Sequence, residues 1–175
     1  MRLTTMALGS RSTVLCLTLA LGLVAARDAG ADVSGSGALS GRFIFRVRGC
    51  GANVGSLGLL AVVRSDGTWD AQDTRGVGFS GTHAPFGAKG RSADLQFDAS
   101  STSTFVDGLV TDATQLCGTT VTVLSTVRKK FRLRLNRRGT VAKLALVYLA
   151  TGTASGLQGT ARFQLKAAGP WTPAP

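Results

Sequence analysis

Alternation of apolar and polar side chains with a period of two, returning in segment after segment, restricts the fold of this chain more than any other feature. In residues 42–48 (RFIFRVR) Phe43, Phe45 and Val47 fall on one side, and Arg42, Ile44, Arg46 and Arg48 on the other. That pattern belongs to an extended strand with one buried face. It recurs in residues 92–98, where Ala93, Leu95 and Phe97 oppose Asp94, Gln96 and Asp98. It recurs again with Phe131, Leu133 and Leu135 in residues 127–135, and with Ala161, Phe163, Leu165 and Ala167 in residues 160–167. Residues 57–64 and 140–151 are apolar on both faces, as central strands are. Shorter strands are expected over 68–74, with Trp69 on the core side, and over 77–83 and 119–125. Gly49-Cys50-Gly51, Ser65-Asp66-Gly67 and Asn136-Arg137-Arg138-Gly139 supply the turns.

One segment changes period. Between residues 100 and 117 the apolar side chains Phe105, Val106, Leu109, Val110, Ala113 and Leu116 recur in steps of three and four, which predicts a helix near 101–117. Ser and Thr precede it as N-caps and Gly118 follows as its stop. Gly108 inside the stripe costs the helix roughly 1 kcal/mol relative to Ala. The expected fold class is therefore mainly β (α+β): a single antiparallel sheet of about eight strands, curled into an open barrel or a sandwich, with one helix packed on it. In outline this resembles the small exported lipocalin-type barrels. The likeness is architectural and lends no residue a role.

The first residues predict export. Arg2 and Arg11 precede an apolar run over 14–26, and Ala29-Gly30-Ala31 offers small residues before a cleavage point at Asp32. The domain organisation expected is a signal peptide over 1–31, a flexible lead-in over 32–41, one β-rich domain over 42–168 and a disordered Pro-rich tail over 169–175. The mature chain then carries no transmembrane helix and resides in the periplasm or outside the cell. Cys16 leaves with the signal; Leu15 before it does not suit a lipoprotein site. Cys50 and Cys117 remain, and export favours their disulfide. In the chain-entropy account a bridge closing so long a loop stabilises the fold by roughly 4 kcal/mol.

Charge gives the main hint of a partner. The chain has 20 Lys and Arg against 9 acids, all of them Asp, and removing residues 1–31 leaves 17 against 8. In residues 127–135 the even positions Arg128, Lys130, Arg132 and Arg134 share one face of a strand under strict alternation. Arg42, Arg46, Arg48, Arg162 and Lys166 lie on the polar faces of the first and last strands. These nine cations are the candidate anion-binding residues if their strands are neighbours; otherwise they are an ordinary solvated face. Anionic lipid or a polysaccharide fits such a face in an exported protein. Nucleic acid fits less well, because no aromatic platforms lie among the cations.

Catalytic chemistry is sparse. The one histidine, His83, stands near Ser80, but Gly78-Phe79-Ser80-Gly81-Thr82 lacks the closing glycine of a nucleophile elbow. Asp66, Asp70 and Asp73 lack the alternating oxygen ligands of a calcium loop. Gly35-Ser36-Gly37 and Gly49-Cys50-Gly51 read as bends, not nucleotide fingerprints. No cofactor or metal is implied, and oligomeric state is not encoded legibly. A membrane-spanning barrel fits poorly, since aromatic girdles are missing. Two binding readings stand ahead of a Ser80–His83 hydrolase. One is an exported non-enzymatic protein meeting an anionic envelope component through the cationic face. The other is a carrier holding a small apolar ligand between helix and sheet, lined by Phe43, Phe45, Phe97, Phe105 and Phe163.

Overall fold

A computed structural model of the chain describes residues 33–87 and 89–175. The expected signal peptide, Cys16 included, and the first lead-in residue Asp32 lie outside the described residues. The elements are β1 (Gly35–Val47), β2 (Gly51–Val63), β3 (Thr68–Asp73), β4 (Gly78–Pro85), β5 (Ser92–Phe97), α1 (Ala99–Cys117), β6 (Val121–Leu135), β7 (Val141–Ala154), β8 (Leu157–Pro170) and β9 (Thr172–Pro173). From β1 to β8 each strand pairs antiparallel with the next, and β8 pairs back onto β1. The sheet is a closed up-and-down barrel of eight strands with one helix. Closure leaves none of these strands as a sheet edge along its whole length, a hazard that an open sheet would keep.

The turns sort the barrel into two ends. At one end lie the β1–β2, β3–β4 and β7–β8 connections, with α1 set between β5 and β6. α1 packs there against β1, β2, β4, β5 and β6. Its N-cap is Asp98, whose side chain accepts from the Ser101 amide at 2.7 Å. An aspartate takes the role that the sequence reading gave to Ser and Thr. Gly118 ends the helix in the left-handed region at φ 64°, as expected. Phe105, Leu109 and Ala113, one turn apart, turn toward Phe45, Val47 and Phe163 of the barrel wall. Cys50 and Cys117 are joined, with Cα atoms 4.8 Å apart, so the β1–β2 turn is stapled to the foot of the helix.

The opposite end holds the first and last described residues, and here the structure departs from the expected organisation. Residues 35–41 are the first half of β1, not a flexible lead-in, and pair with Leu57–Val63 of β2. Residues 169–175 are not a free tail. Gly169 and Pro170 complete β8, Trp171 is only 4 % exposed, and Thr172–Pro173 pair with Gly35 and Ser36. Gly35 and Gly37 explain both departures. A Cβ at Gly37 would come 2.8 Å from the Trp171 ring, and one at Gly35 2.7 Å from its nitrogen. They are the seat of the indole and not bends.

β6 brings a third correction. Segments read as two strands form one, with register irregularities between Val123 and Ser125 and between Arg128 and Lys130. An extra residue at a bulge turns every side chain on one side of it to the opposite face.

Candidate functional site

The inward faces of the strands do not fill the barrel. A cavity of about 550 Å³ remains, open between α1 and the rim formed by β2, β3 and β4. That lies within the roughly 300–1,000 Å³ of small-molecule sites. Its wall on the β2 side is aliphatic, with Leu57, Leu59, Ala61 and Val63. Seven rings, those of Phe43, Trp69, Phe79, Phe97, Phe105, Phe131 and Phe163, line it as well, with Leu95, Leu133, Leu144, Leu146 and Leu165 between them in the wall. Ring centroids 4.8 Å apart for Phe97–Phe131, 5.2 Å for Trp69–Phe131, 5.4 Å for Phe97–Phe105 and 5.2 Å for Phe105–Phe163, with Phe79 5.7 Å from Phe97 and Phe43 6.0 Å from Phe163, make these rings one connected cluster. Offset and edge-on contacts of this kind hold each ring at a fixed angle. Of the five phenylalanines expected around a cavity, Phe43, Phe97, Phe105 and Phe163 line it. Phe45 does not; it is buried beneath α1 with Val47, Leu109 and Ala113.

The buried polar side chains of the lining, Trp69 and Asp73, have partners. The Trp69 Nε1–H donates to the carbonyls of Thr82 and Gln96, each at 3.0 Å. Gly81, which stands opposite Trp69 on β4, lets β5 approach closely: a Cβ there would fall 1.8 Å from the Gln96 oxygen. The buried Asp73 sits at the mouth. Burial pushes its carboxyl up, but hydrogen bonds from the Arg75 guanidinium and from the amides of Val77 and Arg75 outweigh this and hold it below the usual range. Asp112 and the hydroxyls of Thr104 and Thr111 complete the helix side of the mouth, around Gly108. Arg75 is the one cation among the described lining residues, and it is paired with Asp73 at 2.7 Å. The cavity therefore offers apolar walls and hydroxyls, and no free positive charge.

The strands that carry the candidate cations are brought together only in part. Arg42 stands opposite Lys166, and Arg46 opposite Arg162, on the outer face of the β1–β8 pair. Arg48 follows at the end of β1, beside the same pair. β6 lies one strand further, across β7, where Arg134 stands opposite Lys143. Arg128 is not on this face. The bulge places it opposite Tyr148, whose ring is buried, so the four even positions of β6 do not share a side. Its guanidinium donates to the Leu95 carbonyl and lies 3.4 Å from Asp94. β5 pairs with β6 only through Ser92, Ala93 and Asp94, and Arg128 bridges the seam above. Burial raises the Tyr148 hydroxyl pKa, against the pull of the nearby Arg128 charge. Arg132 also meets Asp94, at 3.6 Å, and stacks 3.5 Å over the Phe86 ring. Lys130 and Arg134 are the exposed members of the series.

Ser80 and His83 take separate partners. The Ser80 hydroxyl donates to Asp98 at 2.5 Å, while the His83 Nε2–H donates to the Arg64 carbonyl at 2.7 Å. The three hairpin aspartates are likewise dispersed: Asp66 accepts from the Thr68 amide and hydroxyl, Asp70 pairs with Arg64, and Asp73 with Arg75.

Apolar side chains inside and cations outside reverse the polarity of a membrane-spanning barrel. Fold and site together define a closed eight-stranded antiparallel barrel with an apolar internal cavity under a helix. No protein-family model, curated protein or solved structure matches the chain. Among the described residues no helix is long and apolar enough to cross a membrane.

Proposed function

We propose that the protein is exported and carries a small, uncharged, ring-bearing apolar molecule within its barrel. The observation that carries this reading is the 550 Å³ cavity walled by seven aromatic rings and open beside α1. An empty volume of this size, lined by apolar side chains, leaves those side chains without packing partners, which a bound apolar molecule supplies. Lack of a free cation in the wall favours an uncharged molecule over a fatty carboxylate, because a buried carboxylate without a partner is costly. The disulfide is consistent with an oxidising compartment.

Titration with N-phenyl-1-naphthylamine, a neutral fluorescent aromatic amine, tests the proposal. Saturable one-to-one binding is expected, with weaker binding of the anionic polyene parinaric acid. Ala61→Phe, which fills the interior, and Gly108→Phe, which fills the mouth, each abolish it. Absence of saturable binding, or binding untouched by both substitutions, overturns the carrier reading.

A further inference from the structure

Acidic and basic residues are segregated around the barrel. The described aspartates all lie between Asp66 and Asp112, on β3, β5, α1 and their adjoining turns; the strands β6, β7, β8, β1 and β2, which adjoin in that order, contain no carboxylate. On the outer face of this half, cations stand directly opposite cations: Arg42 and Lys166, Arg46 and Arg162, Arg134 and Lys143. Like charges in that position destabilise an antiparallel pair. Among the described residues no carboxylate forms an ion pair with any of these six cations. Between the first two pairs of cations lies an exposed apolar pair. Ile44 is 40 % exposed and stands opposite Val54 at 54 %, while on its other side Gln164 of β8 separates it from Val147.

We infer that this outer face, centred on β8 and β1, docks the protein on an anionic lipid bilayer. The argument is charge complementarity combined with the exposed Ile44–Val54 pair. Arg and Lys stems lie along apolar surface while their heads reach outward, which suits phosphates surrounding a shallow apolar contact. A nucleic acid would want aromatic stacking platforms on this face, and none stands there. A sulfated or carboxylated polysaccharide would engage the cations and leave Ile44 and Val54 idle. The inference does not rest on the cavity: a chain that binds vesicles and no apolar probe keeps this proposal and loses the carrier reading.

The test is flotation of the exported protein with phosphatidylcholine vesicles, with and without phosphatidylglycerol. Binding is expected only with phosphatidylglycerol, released by salt as the Debye length shortens. Arg46→Gln with Arg162→Gln lowers the partition coefficient about fivefold per cation, which corresponds to roughly 1 kcal/mol for a basic side chain at an anionic surface. Arg42→Gln with Lys166→Gln is the independent pair should the first fail to fold. Ile44→Ser with Val54→Ser weakens vesicle binding while leaving retention on heparin unchanged. No binding at low salt overturns the proposal. So does vesicle binding that ignores the charge pairs, or that ignores Ile44→Ser and Val54→Ser while heparin retention follows the charges.

Discussion

Cys50, in the turn between the two longest-paired N-terminal strands, is bonded to Cys117, the last residue of the only helix among the described elements. The bridge spans 67 residues of sequence and fixes the lid of the cavity to its wall. Replacing both cysteines by serine is expected to lower stability by up to roughly 4 kcal/mol, most of it through the unfolded chain. Urea unfolding of parent and double variant checks this. Looser seating of α1 also predicts faster release of a bound apolar probe, measured by stopped-flow exchange at a denaturant concentration where both proteins are folded.

Trp171 makes a second expectation. The indole is buried against Gly35 and Gly37, yet its Nε1–H has no partner. Trp171→Ala removes a large buried ring and is expected to cost about 3–5 kcal/mol. Trp171→Phe keeps most of the packing and deletes a buried donor that gains nothing, so it costs far less. A thermal-melt series of the two variants separates these outcomes; equal and negligible losses would mean that the C-terminal segment does not close the barrel.

The strands were legible because burial on one face writes a period of two into the residues. Steps of three and four gave the helix its inward stripe by the same logic, and the two cysteines left after the expected signal peptide allowed one pairing. Residues 35–41 and 169–173 were misread for a physical reason: Gly35, Gly37 and the prolines around Trp171 look like flexible linkers until the indole that fits over the glycines is in place. Arg128 was misread because strict alternation hides a bulge. A signal was present, however. Counting back in twos from the buried Phe131 points Lys129 into the core, and an unpaired lysine there is prohibitive. A register break between Arg128 and Lys130 resolves the conflict, and it removes Arg128 from the cationic face. Closure of the barrel and the cavity were not legible, because alternation states which face is inward and not how much space the inward faces leave.

Gly108 separates stability from binding. It is an exposed helix residue at the cavity mouth, and a Cβ there would meet nothing within 4 Å. Gly108→Ala is therefore expected to stabilise the protein by about 0.5–1 kcal/mol, since it restricts the unfolded chain without strain. Probe affinity should be unchanged by the single methyl group, in contrast to Gly108→Phe. Denaturant midpoints and probe titrations on the same samples decide both halves.

Asp98 links the helix start to acid stability. Its carboxylate accepts first from the Ser80 hydroxyl, then from the Ser101 amide and the Ser101 and Ser100 hydroxyls, and these hydrogen bonds hold its pKa at about 2 against an ordinary 3.8. A carboxyl whose folded pKa is depressed stabilises the fold above the unfolded value, and that contribution fades as pH falls through the folded one. The Asp98 share of stability is thus complete above about pH 4 and is lost progressively toward about pH 2. Asp98→Asn keeps a capping side chain but has no charge to lose. Melting temperatures of parent and Asp98→Asn should accordingly differ most near neutral pH and converge in this acid window; parallel profiles across it would show that the Ser80–Asp98–Ser101 bonds do not favour the ionised carboxylate.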